Sequence, residues 1–93
     1  MFNLSPSEFF SAMSSSEREA YRRAYIAEFK VDAELAAIEQ DFQDAYAAYV
    51  SNGARGCWTE PAGLRARRLD RQREIERSVL ESFMEAAEAS IAA

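Results

Sequence analysis

The side chains that most often carry out catalysis are scarce in this sequence. It contains no histidine, and Cys57 is its single cysteine. Without these residues there is no Cys–His nucleophile pair, no Ser-His-Asp triad and no zinc site of the Cys and His type. Carboxylates could still support acid–base or magnesium chemistry, but they follow the repeated charge pattern of helix surfaces. The sequence therefore predicts a non-enzymatic protein with no catalytic residue, no metal ligand and no cofactor.

Arginines are concentrated in one part of the chain, where they could bind an acidic partner. Seven of the eleven basic residues lie between residues 55 and 77, together with only four acids. Arginine pairs in a bidentate manner with carboxylates. Cations in the first turn of a helix face the positive end of its dipole, which is unfavourable, so their presence there favours a role outside the hairpin, such as binding an acidic partner. The alternative is a solvated face whose arginines pair with neighbouring acids of the same domain. The hypothesis is a partner-binding face formed by Arg65, Arg67, Arg68 and Arg71.

The single tryptophan lies in a glycine-rich turn. Residues 53–63 read GARGCWTEPAG and contain all three glycines together with Trp58. The tryptophan could close the open end of a helical hairpin by packing on Tyr49 and Leu64, because large aromatic residues bury most of their surface. It could also be an exposed anchor, since tryptophan is enriched in interface hot spots. We call Trp58 and the four arginines the turn-end surface, which would bind a protein with acidic side chains.

Start and stop signals divide the chain into three predicted helices. Ser5 and Glu8 have the spacing of a capping box, and Pro6 occupies the first helical position. The second predicted helix contains no Gly or Pro, and Lys30-Val31-Asp32 is the point where it could bend. Asn52-Gly53 supplies its stop signal. The predicted bounds are helices at about 6–13, 16–51 and 61–91, with a turn at 52–60.

Apolar residues form matching stripes on the two long predicted helices, with Phe42 and Phe83 at their centres. A short connection between them favours an antiparallel hairpin, in which Val31 would lie near Phe83. The sequence thus predicts one all-α domain over residues 1–93. It consists of a short N-terminal helix followed by a long antiparallel helical hairpin.

A second apolar patch lies on the other side of the second predicted helix. It consists of Tyr25, Ile26 and Phe29. The first helix could fold back and cover this patch, or the patch could face a second subunit or a target. Because a two-helix hairpin buries little surface by itself, we predict that the chain forms a homodimer with a helical-bundle core.

The layout is similar to one known family. Small secreted hairpins of type VII secretion systems also have two long helices with a Trp-X-Gly turn between them. Here the corresponding residues are Trp58-Thr59-Glu60, with Glu in place of the glycine, and no tyrosine follows Tyr49 to form the family's C-terminal secretion motif. The sequence is therefore not assigned to that family.

The leading functional prediction is a protein-binding module that acts as an adaptor, small regulator or inhibitor, of the kind encoded by phages and accessory genes. The first alternative is an oligomeric nucleic-acid-associated regulator that uses the arginine-rich start of the third helix. The net charge of −5 and the lack of aromatic residues among these arginines count against nucleic acid. A DNA-mimic inhibitor, a type VII-like secreted hairpin and a carboxylate-based enzyme are minor alternatives.

Targeting and membrane signals are missing from the sequence. No stretch approaches the ~18 consecutive apolar residues of a membrane span. The start, MFNLSPSEFF, lacks the basic and apolar regions of a signal peptide. We therefore expect a soluble cytoplasmic protein that does not bind a membrane.

Overall fold

The protein is all-α, as predicted. A computed structural model describes residues 4–92, and these residues form four helices and no strand. The helices are α1 (Pro6–Ala12), α2 (Ser15–Val31), α3 (Ala33–Ser51) and α4 (Leu64–Ala92). None of them combines the length and the apolarity that a membrane crossing requires.

The first two helices begin at capping boxes. The Ser5 side chain accepts a hydrogen bond from the backbone of Glu8, whose side chain accepts one from the backbone of Ser5. Ser14 and Glu17 repeat this arrangement at the start of α2. Each box satisfies backbone N–H groups that a helix start leaves without a partner. Local sequence thus determines where both helices begin.

The predicted helix over 16–51 is divided into α2 and α3 at Asp32. This residue has extended backbone angles, φ −74° and ψ 123°, and its side chain accepts a hydrogen bond from the Leu35 backbone N–H at 2.9 Å. An aspartate at this position can cap a new helix more favourably than it continues an old one. The prediction of one uninterrupted helix is therefore wrong, and the break falls at the predicted weak point.

The last helix begins at Leu64, three residues later than predicted. Gly63 has φ +86°, a left-handed conformation that interrupts a right-handed helix. The Gly63 carbonyl oxygen then accepts the first helical hydrogen bond of α4 from the Arg67 backbone, at 2.9 Å. Glu60 and Pro61 consequently belong to the turn and not to the first turn of the helix.

Helix α4 runs antiparallel to α2 and α3 along a rod of 63 × 21 × 20 Å. The expected neighbours Val31 and Phe83 are not in contact: Val31 is 77% exposed, whereas the Phe83 ring lies 6.0 Å from that of Tyr21. The difference is one of register, because Asp32 lies level with Arg71, whereas Phe83 is twelve residues farther along α4 and lies level with Tyr21.

The two halves of the rod contain different numbers of helices. In the first half α1 packs on α2 and α4, and Phe9, Met13, Tyr21 and Leu80 form a buried cluster. In the second half α3 and α4 pack as a pair. Ile38 on α3 is fully buried there, while Phe42 is only half-buried. The three-helix half therefore has the larger share of the core.

Candidate functional site

The structure places Arg71 of the turn-end surface at the break between α2 and α3. Its Nη2 and Nε atoms lie 2.6 and 3.1 Å from the two carboxylate oxygens of Asp32. Glu34 and Glu74 approach the same guanidinium at 3.3 and 3.1 Å. Arg71 thus links the residue that caps α3 to the first third of α4, and its charge is balanced within the chain.

The Arg71 guanidinium and the Leu35 backbone N–H lower the pKa of Asp32 from 3.8 to about 2. Both groups donate hydrogen bonds to the ionised carboxylate, which stabilises it against protonation. The Asp32 contacts, in turn, raise the pKa of Arg71. The break is therefore held by an ion pair that persists in mildly acidic solution.

This ion pair predicts a specific loss of stability in acid. Since the pKa of Asp32 is lower in the folded chain, its contribution is present above pH 4 and is lost as the pH falls from about 4 to about 2. Melting temperatures should therefore differ most between the wild type and Asp32→Asn near pH 7, and converge near pH 2. Asparagine still caps a helix, so the comparison isolates the charge. A difference that is the same at both pH values would contradict this role.

The other three arginines of the turn-end surface also have contacts within the chain. Arg65 lies 3.0 Å from Glu60, and Arg67 lies 3.6 Å from Asp41. The Arg68 guanidinium stacks over the Phe42 ring, 5.2 Å from its centroid. The salt-bridged face that the sequence offered as an alternative is thus present, although the Arg65 and Arg67 side chains remain more than half exposed.

Trp58 packs against two tyrosines of α3. Its ring centroid lies 5.3 Å from that of Tyr46, edge to face, and 5.5 Å from that of Tyr49. The Tyr49 hydroxyl donates a hydrogen bond to the Gly56 carbonyl oxygen at 2.6 Å and holds the turn over the helix end. Trp58 is half-buried, and it packs on Tyr49, one of the two residues expected to contact it.

A groove with a volume of about 640 Å³ lies between α1, α2 and α4. Aromatic and aliphatic side chains from all three helices line it. Arg18, Arg22, Glu19 and Glu76 supply charges of both signs around them. We call this surface the α1 groove, and its apolar lining residues are Pro6, Phe10, Tyr21, Tyr25 and Leu80.

Arg18 ties α1 to α2 at this groove. Its Nε and Nη2 atoms donate hydrogen bonds to the carbonyl oxygens of Phe10 and Ser11 at 3.3 and 3.1 Å. Its guanidinium also lies over the Phe10 ring, 4.9 Å from the centroid. Among residues 4–92 no carboxylate lies within salt-bridge distance of Arg18. The groove therefore has one cation without an acidic partner in the described chain.

The second predicted patch is only partly brought into this groove. Tyr25 lines it and packs edge to face against Tyr21, with 5.0 Å between the ring centroids. Phe29 follows at 5.3 Å from Tyr25, and it is half-buried like Ile26. Neither Phe29 nor Ile26 lines the groove. The sequence indicated Tyr25 and offered fold-back of the first helix as one alternative, but it did not assign Phe10 or Leu80 to a binding surface.

The described residues contain no group of three His, Cys, Asp or Glu side chains arranged to hold a metal ion. Cys57 is exposed in the turn. Comparisons with protein-family models, with curated proteins and with solved structures each find no match to this chain.

Proposed function

We propose that this protein is a non-enzymatic module that binds another protein through the α1 groove. The observation that carries the proposal is an apolar concavity of about 640 Å³ on a rod only about 20 Å thick. Binding sites combine such apolar walls with a few polar groups that orient the ligand. A binding site of this kind is sufficient for an adaptor, a small regulator or an inhibitor.

The lining favours an amphipathic helix as the bound segment. Phe10, Tyr25 and Leu80 offer apolar contacts to one face of such a helix. Arg18, which has no carboxylate partner in the described chain, is placed to pair with an acid next to that face. The proposed partner segment therefore has a large apolar side chain with an aspartate or glutamate about one helical turn away.

The turn-end surface has weaker support as the main contact. Its arginines already pair with Glu60, Asp41 and Asp32 or stack on Phe42. The same contacts reduce the support for a nucleic-acid-associated regulator, because phosphates would have to compete with carboxylates of the chain itself. They also reduce support for a DNA mimic, since arginines neutralise part of the acidic surface of α3.

A substitution that fills the α1 groove and keeps every core side chain tests whether the partner binds there. Ser7 is exposed and lines the groove, so Ser7→Trp should block it while Phe9 and Met13 keep their contacts. The test is affinity capture from the native host. The amount of a partner protein captured by Ser7→Trp should be at least about tenfold lower than the amount captured by the wild type, since a tenfold loss corresponds to the loss of one apolar anchor. Circular dichroism should show unchanged helicity.

Two control variants make this experiment decisive. Ser90→Trp adds the same side chain at an exposed position near the end of α4 and should leave capture unchanged. Trp58→Ala alters the turn-end surface instead. If Trp58→Ala abolishes capture and Ser7→Trp does not, the turn-end surface is the binding site and the proposal is wrong.

A further inference from the structure

Two residues with extended backbone separate α1 from α2. Met13 has φ −68° and ψ 141°, and Ser14 has φ −69° and ψ 167°. The Met13 backbone N–H donates a hydrogen bond back to the Phe10 carbonyl oxygen, and the Arg18 backbone N–H donates one to the Ser14 carbonyl oxygen. Backbone hydrogen bonding therefore does not continue from α1 into α2. A rotation between Met13 and Ser14 moves α1 as a unit and leaves the helical hydrogen bonds on both sides in place.

The position of α1 depends on two buried side chains. Phe9 and Met13 are 9% and 7% exposed, and both belong to the cluster that contains Tyr21 and Leu80. Among residues 4–92 no salt bridge involves α1. A helix of seven residues is too short to be stable without packing against other elements. The α1 helix is therefore stable only while it lies against the rest of the molecule.

Arg18 of α2 caps the C-terminal end of α1. The last turn of α1 has no basic residue. The last carbonyl groups of a helix have no partner within the helix, and they lie at the negative end of its dipole. Arg18 donates hydrogen bonds to two of them, the carbonyl oxygens of Phe10 and Ser11, at 3.3 and 3.1 Å. These hydrogen bonds require α1 to lie against α2, so Arg18 stabilises the closed position of α1 specifically.

Helices α2 and α4 have contacts with each other that do not involve α1. The Tyr21 hydroxyl donates a hydrogen bond to the Glu76 carbonyl oxygen at 3.1 Å, and the Tyr21 ring lies 6.0 Å from the Phe83 ring. In the other half of the rod α3 and α4 pack without a third helix and bury Ile38 completely. The detachment of α1 is therefore a local opening, after which the other three helices remain packed.

We propose that α1 is a movable wall of the α1 groove, which opens by rotation between Met13 and Ser14 and is held closed by Arg18. The consequence for binding rests on the proposed function of this groove. Helix α1 supplies Pro6 and Phe10 to the lining, so the groove exists only while α1 is closed. A partner that binds in the groove interacts with the closed state alone, and by linkage it holds α1 closed.

Hydrogen–deuterium exchange of the purified protein, followed by mass spectrometry, tests this proposal without a partner. In the wild type the amides of residues 9–13 should exchange at least about tenfold faster than those of residues 76–84 in α4, because local opening exposes only the former. Arg18→Ala should speed exchange in residues 9–13 about tenfold further and leave residues 76–84 unchanged. Arg22→Ala is the matched control: Arg22 lines the same groove, but its salt-bridge partner is Glu19 of α2, so exchange in α1 should stay as in the wild type.

Met13→Ala provides a second variant that leaves the groove lining intact, because Met13 anchors α1 and does not line the groove. It should also speed exchange in α1 more than in α4. Equal exchange rates of α1 and α4 in the wild type, or an unchanged rate in α1 of Arg18→Ala, would overturn the proposal. Fast local exchange of α1 combined with undiminished capture by Ser7→Trp would support the movement of α1 and contradict the groove as binding site, so the two failures are distinguishable.

Discussion

Replacing Ile38 with alanine is expected to lower the free energy of unfolding by about 2–5 kcal/mol. Ile38 is the one side chain among the described residues whose surface is fully buried, at 0% exposure. It lies in the half of the rod where only α3 and α4 pack together, so few neighbours are available to collapse into the cavity. A domain of this size has about 5–15 kcal/mol of total stability, and this single change could remove a large part of it.

Phe42→Ala provides the comparison for Ile38→Ala. The apolar stripe placed Phe42 at the centre of the core, but the structure leaves it half-buried, beside the Arg68 guanidinium at 5.2 Å. Removing it should therefore cost less than removing Ile38, although phenylalanine is the larger side chain. Urea denaturation of both variants and the wild type measures the difference. A greater loss with Phe42→Ala would mean that the core of this half is centred on Phe42.

Features determined by nearby residues could be predicted from the sequence. The capping box at Ser5 and Glu8 is an example, because the two residues that form it are only three positions apart. The all-α class follows from the same kind of local information, repeated along helices with few glycines and prolines. The weak point at Lys30-Val31-Asp32 was visible for this reason too, since it depends on local helix preference.

Features that depend on distant residues could not be predicted with the same accuracy. The break at Asp32 is stabilised by Arg71, which is 39 positions away along the chain. A stripe drawn on one continuous helix could not include this contact, so it placed Val31 in the core. The α1 groove is a similar case: the sequence offered fold-back of the first helix as one alternative, but the contact of Phe10 with Tyr21 depends on how α1 turns back at Met13 and Ser14.

Tyr21 is expected to be the most sensitive position in the other half of the rod. Its ring packs edge to face against Phe10, Tyr25 and Phe83, with centroids 5.9, 5.0 and 6.0 Å away. Its hydroxyl donates a hydrogen bond to the Glu76 carbonyl oxygen at 3.1 Å. The residue therefore joins α2 to both α1 and α4, and burial raises the pKa of its hydroxyl.

Tyr21→Ala should consequently lower the free energy of unfolding by about 3–5 kcal/mol, the cost of removing a buried aromatic ring. Tyr21→Phe keeps the ring contacts and removes only the hydrogen bond, so its cost should be about 1 kcal/mol. Urea denaturation measures both values, and near-ultraviolet circular dichroism reports whether the aromatic cluster stays ordered. The Phe variant should keep most of that signal and the Ala variant should lose it. Equal costs for the two variants would mean that the hydroxyl, and not ring packing, holds α1 and α2 to α4.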